Sequence, residues 1–250
     1  MDDAVLAETM MITSGDGTPI EAFSARPPGS GPAGGVIVLH SVLGYDEDTK
    51  RFARSLAAAG YNTVVPYLFH REAPGAAPSE ALAAARARNS PPLPNDRVVA
   101  DAAGAAAHLR ELPGSNGKVA AVGLGFGGYL AFLVGTSIPV DAVVNCYGTW
   151  IGNAPPAQAP MAGAPQIIDR TPLLQAPLLG LFGAEDQTPS PAQVAELEQA
   201  LKASGKTYEF HSYEGAGHGF FAADRPSYRA GPAADGRTRI LTWLRRYLAE

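Results

Sequence analysis

The sequence predicts an α/β fold with a mostly parallel central sheet and helices on both faces. Three observations carry that prediction. Apolar runs of strand length alternate with helix-length amphipathic or small-residue stretches from about residue 35 onward. Four glycines, Gly123, Gly125, Gly127 and Gly128, join one apolar run to an apolar helix. The chain has 250 residues, 46% hydrophobic and 17% charged, which is ample for one large core. No linker divides it, so residues 1–250 read as one domain.

The elements follow in order. Residues 10–13 and 20–25 flank Gly15-Asp16-Gly17 and read as an edge hairpin. Residues 35–41 form a buried strand. Asp46, Asp48 and Thr49 are candidate caps for a helix that turns Phe52, Leu56 and Ala57 inward and ends at Gly60. Residues 61–66 are the next strand. The Pro- and Ala-rich segment 67–94 is expected to hold one short helix, 79–88. Asn95 or Asp96 should cap a helix to about Leu112, with Val98, Val99, Ala102, Ala106 and Leu109 at helical spacing. Strand 119–122, the glycines and helix 129–134 come next. Residues 140–147 are a strand, 153–171 a Pro/Ala-rich excursion, 176–182 a strand, 191–204 a helix and 207–213 the last strand. An amphipathic helix, 235–248, closes the chain.

The formal net charge of -5, without a Lys/Arg cluster, makes nucleic acid and anionic membranes poor partners. The single cysteine, Cys146, sits in an apolar run, so neither a disulfide framework nor Cys/His metal spacing exists, and no cofactor is expected. Met1-Asp2-Asp3 lacks the basic start of a signal peptide, and no apolar run reaches membrane-spanning length. The expectation is a soluble cytoplasmic protein, monomer or homodimer, that acts on a small molecule.

In open α/β sheets, ligands bind beyond the carboxyl ends of the strands. Four such ends carry distinctive chemistry: Ser41, Gly125, Asp186 and His218. Strand, glycine turn, helix is the frame of a nucleophile elbow, G-x-Nuc-x-G. Here it reads Gly123-Leu124-Gly125-Phe126-Gly127, with Gly125 where Ser or Cys would stand. A dinucleotide fingerprint also fits Gly123, Gly125 and Gly128, but that motif opens the first βαβ unit and takes an acid about 20 residues on. This one lies mid-chain, and Asp141 begins a strand. The bland alternative is that the glycines only allow close helix–sheet packing.

An Asp after a strand is more often a helix cap, and a His between glycines is more often just a polar loop residue. Placed after the last two strands, behind an elbow, Asp186 and His218 read as a pair in which the acid fixes the imidazole tautomer. Two backbone donors, the N–H groups of Phe126 and Val42, would form an oxyanion site. Tyr45, Tyr67, Phe69, Trp150 and Phe220 point to an aromatic-lined pocket, although core packing explains any one of them equally well.

The sequence resembles the dienelactone hydrolase family of the α/β-hydrolase superfamily from about residue 6 to 248. The likeness is carried by Val38-Leu-His-Ser-Val-Leu-Gly44, Leu56-Ala-Ala-Ala-Gly-Tyr61, Pro66-Tyr-Leu-Phe-His-Arg71, Val122-Gly-Leu-Gly-Phe-Gly-Gly128, Asp141-Ala-Val-Val-Asn-Cys-Tyr-Gly148, Gly183-Ala-Glu-Asp186, Tyr213-Glu-Gly-Ala-Gly-His-Gly-Phe220 and Asp224-Arg-Pro226. It implies a cofactor-free Cys–His–Asp hydrolase of lactones or esters. The departures matter equally. The family nucleophile is Gly125 here, Ser41 stands in place of the family glutamate, Tyr67 replaces an Asp, and Ala222 replaces one substrate-binding Arg. Arg71 matches the other family arginine and would hold an acid group or pair with a loop carboxylate.

Three readings follow. His218 activates water, or Ser41, for hydrolysis. Alternatively, His218 moves a proton in an isomerase, lyase or cyclase reaction that needs no nucleophile. In the third, the fold binds a small molecule without catalysis.

Overall fold

The structure, a computed structural model, describes residues 5–29, 31–42, 44, 46–71, 93–153 and 163–249. Among the described residues eight strands form one sheet: β1 (Leu6–Thr13), β2 (Pro19–Arg26), β3 (Ala33–Leu39), β4 (Asn62–Pro66), β5 (Ser115–Leu124), β6 (Ala142–Cys146), β7 (Leu178–Gly183) and β8 (Tyr208–Tyr213). Their order is β1-β2-β4-β3-β5-β6-β7-β8. β1 and β2 form the expected antiparallel hairpin, and β2 also runs antiparallel to β4; the pairs from β4 onward are parallel. The carboxyl ends of β3 and of β5 to β8 therefore share one edge of the sheet.

Among the described residues five α-helices flank it: α1 (Glu47–Ala58), α2 (Asn95–Glu111), α3 (Phe126–Gly135), α4 (Pro191–Ala203) and α5 (Ala230–Leu248), with a 3-10 helix at Ile168–Leu173 across the end of the Pro/Ala-rich excursion. Two successive residues of β3 show that both faces are covered. A Cβ built on Gly34 would lie 2.9 Å from Leu248 of α5, and one on Gly35 would lie 2.9 Å from Leu109 of α2. Successive strand residues face opposite ways, so α5 and α2 cover opposite faces. Both faces of the central parallel strands are thus covered. β3, β4, β6 and β7 are accordingly buried at every position, which is why they read as continuous apolar runs.

Helix starts were the least legible boundaries. Of the three candidates for α1, Asp46 is the cap: its Oδ1 accepts from the Thr49 N–H at 3.0 Å and the Thr49 hydroxyl at 2.8 Å. The expected cap of α2 is corrected. The helix already includes Asn95, Pro94 holds the cap position without a side-chain bond, and Asn95 instead accepts from the Tyr129 hydroxyl. α5 starts at Ala230, not Asp235, because Gly231 and Pro232 fall in its first turn, where a proline's missing N–H costs no hydrogen bond. The helix expected at 79–88 lies outside the described residues.

Candidate active site

The glycine turn after β5 does two separate things. Gly127 allows close approach: a Cβ there would lie 1.9 Å from the Leu39 carbonyl oxygen, so α3 can start against the end of β3 only if position 127 has no side chain. This much is the bland packing reading. Gly125 is different. Its backbone sits at φ 60, ψ -123, a strained region for any L side chain. A Cβ there would meet no backbone; its nearest neighbours would be His218 Nε2 at 3.3 Å and Tyr147 Cε2 at 3.9 Å. The elbow keeps the conformation that aims a side chain at the histidine, and has glycine where that side chain would begin.

Asp186 and His218 come together because β7 and β8 are paired neighbours. Their exit loops are tied by Ala184 N–H to the Tyr213 carbonyl and Glu185 N–H to the Ala216 carbonyl, both at 3.0 Å. Asp186 is buried, its Oδ1 accepts from the Thr188 N–H at 2.8 Å, and its Oδ2 lies 3.0 Å from His218 Nδ1. With the Nδ1 proton donated to the carboxylate, Nε2 of the neutral ring carries the lone pair, and Nε2 is the atom that faces Gly125.

A cavity of about 370 Å³ opens beside this pair. Ser41, Val42, Gly125 and His218 line it. Phe126 opens α3, so its N–H is one of those a helix leaves without an intrahelical acceptor. The loop that bears Val42 is held by His40. The imidazole accepts from the Leu68 N–H through Nε2 at 3.1 Å and donates from Nδ1 to the Ser41 carbonyl at 2.8 Å. Burial lowers the His40 pKa to about 4, so the ring is neutral and this tautomer is fixed.

The expected substrate contacts are corrected. Tyr67 is fully buried against His40 and Phe69, and Phe220 is fully buried between Tyr147 and Tyr213; both are core. Trp150 packs on Phe126, away from the cavity wall. Tyr45 lies outside the described residues. Arg71 takes the second of its two roles: it binds Asp16 at 2.9 Å and buried Asp101 at 3.0 Å, alongside His70. Burial alone would raise the Asp101 pKa; hydrogen bonds from His70, Arg71 and Ser14 outweigh it and lower it.

The aromatic wall is built instead by Phe52, Tyr147 and Phe221. The outer wall is ionic: Arg225 reaches Asp46 at 3.5 Å and Asp48 at 4.0 Å, and Arg51 binds Asp48 at 2.8 Å and Asp224 at 3.1 Å. Position at the carboxyl end of β6 was the one sequence signal that could have singled out Tyr147. Among the described residues no cluster of three or more His, Cys, Asp or Glu side chains is placed to hold a metal ion, and no helix is long and apolar enough to cross a membrane.

A family model described as "Dienelactone hydrolase family" matches residues 20–248. A protein of Methylorubrum extorquens named "Putative carboxymethylenebutenolidase" is 32% identical over 247 residues, 98% of this chain and 82% of its own. One of the same name from Escherichia coli K12 is 33% identical over 255 residues, covering 98% and 89%. Among solved structures, a "Putative Dienelactone Hydrolase" of Klebsiella pneumoniae superposes with a TM-score of 0.84 at 30% identity, covering 98% of this chain and 100% of that one.

Proposed function

The chain belongs to the dienelactone hydrolase family of hydrolase enzymes, and from that premise we propose that it hydrolyses a small lactone or ester by direct activation of water. The single observation that supports this reading is the geometry above Gly125. The lone-pair nitrogen of an Asp-held histidine faces the place where a nucleophilic side chain would begin, and that side chain is absent. In this reading a water oxygen attacks the carbonyl carbon while its proton passes to His218 Nε2. The resulting oxyanion rests on the N–H groups of Phe126 and Val42, donors worth about 3 kcal/mol each in comparable sites. Collapse breaks the carbon–oxygen bond, and the leaving alkoxide takes the proton back from His218. Asp186 keeps the tautomer and stabilises the imidazolium in between.

The test is hydrolysis of p-nitrophenyl acetate, with the enzyme's mass followed during turnover. His218→Ala should lower turnover by roughly 10²–10⁴-fold in a folded protein. Asp186→Asn should lose a comparable amount or less. No acylated enzyme should accumulate. An acetyl adduct on Ser41 would transfer the nucleophile role to that hydroxyl. Proton exchange into a carbonyl compound without ester cleavage would favour the non-hydrolytic reading. Undiminished turnover in His218→Ala would remove the histidine from the mechanism.

A further inference from the structure

Tyr147 is held in a conformation that its residue type disfavours. Its φ is 43°, in the left-handed region where a glycine would rest without strain. Its own N–H continues the ladder to the Leu181 carbonyl at 2.8 Å, so the turn comes immediately after the last paired residue of β6. The turn throws the ring across the site. It stands edge-on to His218 at 5.0 Å between centroids, and packs on Phe220 at 5.2 Å and Phe221 at 6.1 Å. Strain kept at a ligand-binding edge is a pointer to function.

The hydroxyl gives that pointer a chemistry. Tyr147 is 4% exposed and lines the cavity. Its phenolic oxygen is not one of the side-chain atoms sealed away from solvent without a partner. A neutral phenol has a proton to give. Among the described residues, no carbonyl or carboxylate takes that proton. Solvent reaches that oxygen through the cavity that Tyr147 lines together with Asp48 and Arg225. Burial, and then neighbouring Cys146, hold its pKa well above the ordinary value, which keeps it a neutral donor.

We propose that the Tyr147 hydroxyl donates a hydrogen bond to an oxygen of the bound ligand, making it the side-chain donor by which the site recognises neutral, oxygen-bearing carbonyl compounds. The proposal rests on the hydrolase reading for its ligand class, but its test does not depend on turnover. The probe is dihydrocoumarin, a neutral lactone, titrated by calorimetry into His218→Ala and into His218→Ala/Tyr147→Phe. Phe keeps the ring and its packing and removes only the donor.

The double variant should bind about 3- to 10-fold more weakly, the size of one neutral hydrogen bond. The ¹³Cζ resonance of Tyr147, assigned by its loss in Tyr147→Phe, should shift when the lactone is added. A merely structural tyrosine would leave that resonance in place. Equal affinity of the two proteins, an unmoved resonance, or no binding to either overturns the proposal. Failure of the hydrolase reading would instead appear as undiminished p-nitrophenyl acetate turnover in His218→Ala, whatever Tyr147 does.

Discussion

Gly125→Ala asks most directly what the glycine is for. The backbone at φ 60, ψ -123 penalises any L side chain, typically by about 1–3 kcal/mol. Sterics add little. The new methyl would lie 3.3 Å from His218 Nε2, tight by a few tenths of an ångström, against a side chain that is 44% exposed and can give way. In a chain of this size each kcal/mol moves the melting temperature by roughly 2–4 °C. The variant should therefore melt about 3–10 °C below the parent in differential scanning calorimetry. The same methyl takes the position beside Nε2 that the proposed water needs, so p-nitrophenyl acetate hydrolysis should fall by the full acid–base contribution, about 10²–10⁴-fold. An unchanged melting temperature together with unchanged turnover would refute both the strain and the water-activation argument. Gly125→Cys carries the same backbone penalty, and with Ser41 and Ala222 also altered it should not approach ordinary turnover, about 10 s⁻¹, on a dienelactone.

Arg71→Ala should act on stability and not on catalysis, because its guanidinium holds a buried carboxylate and neither residue lines the cavity. Urea denaturation should show a loss of about 3 kcal/mol, with turnover per folded molecule unchanged. His40 titrates near 6.5 when unfolded and about 4 when folded, so between those values the unfolded chain binds more protons. Stability should fall as pH drops through that window, by up to about 3 kcal/mol. His40→Gln, which can keep both hydrogen bonds without a charge, should flatten that slope in denaturation curves taken at several pH values. Iodoacetamide should leave turnover intact under native conditions, since Cys146 is buried and burial pushes its thiol pKa up. Rapid loss of activity in a folded sample would mean that the thiol is reachable.

The centre of the sheet was legible because its strands are buried on both faces and so spell themselves as apolar runs. Asp186 and His218 were legible for a related reason: polar residues directly after such runs have few places to be except the sheet's carboxyl edge. Arg71 was only half legible. The sequence offered an acid-holding role or a carboxylate partner, and the choice depended on Asp101, 30 positions away on α2. The aromatic wall was misread because Tyr67 and Phe220 are as aromatic as Tyr147 and Phe221, and depth of burial is not written in residue type. Tyr147 escaped notice because its distinction is a backbone angle, for which a tyrosine gives no warning.

The alternating Arg and Asp residues between the first turn of α1 and the segment 224–225 set up an unusual division of labour. The segment that carries His218 is anchored on one side by the buried Asp186, which solvent ions hardly reach, and on the other by half-exposed pairs that they screen readily. Such exposed pairs add little to the free energy of folding. They do bridge the start of α1 to the segment after His218 along one wall of the cavity. Raising the ionic strength should therefore loosen this wall of the cavity while the protein's resistance to unfolding barely changes.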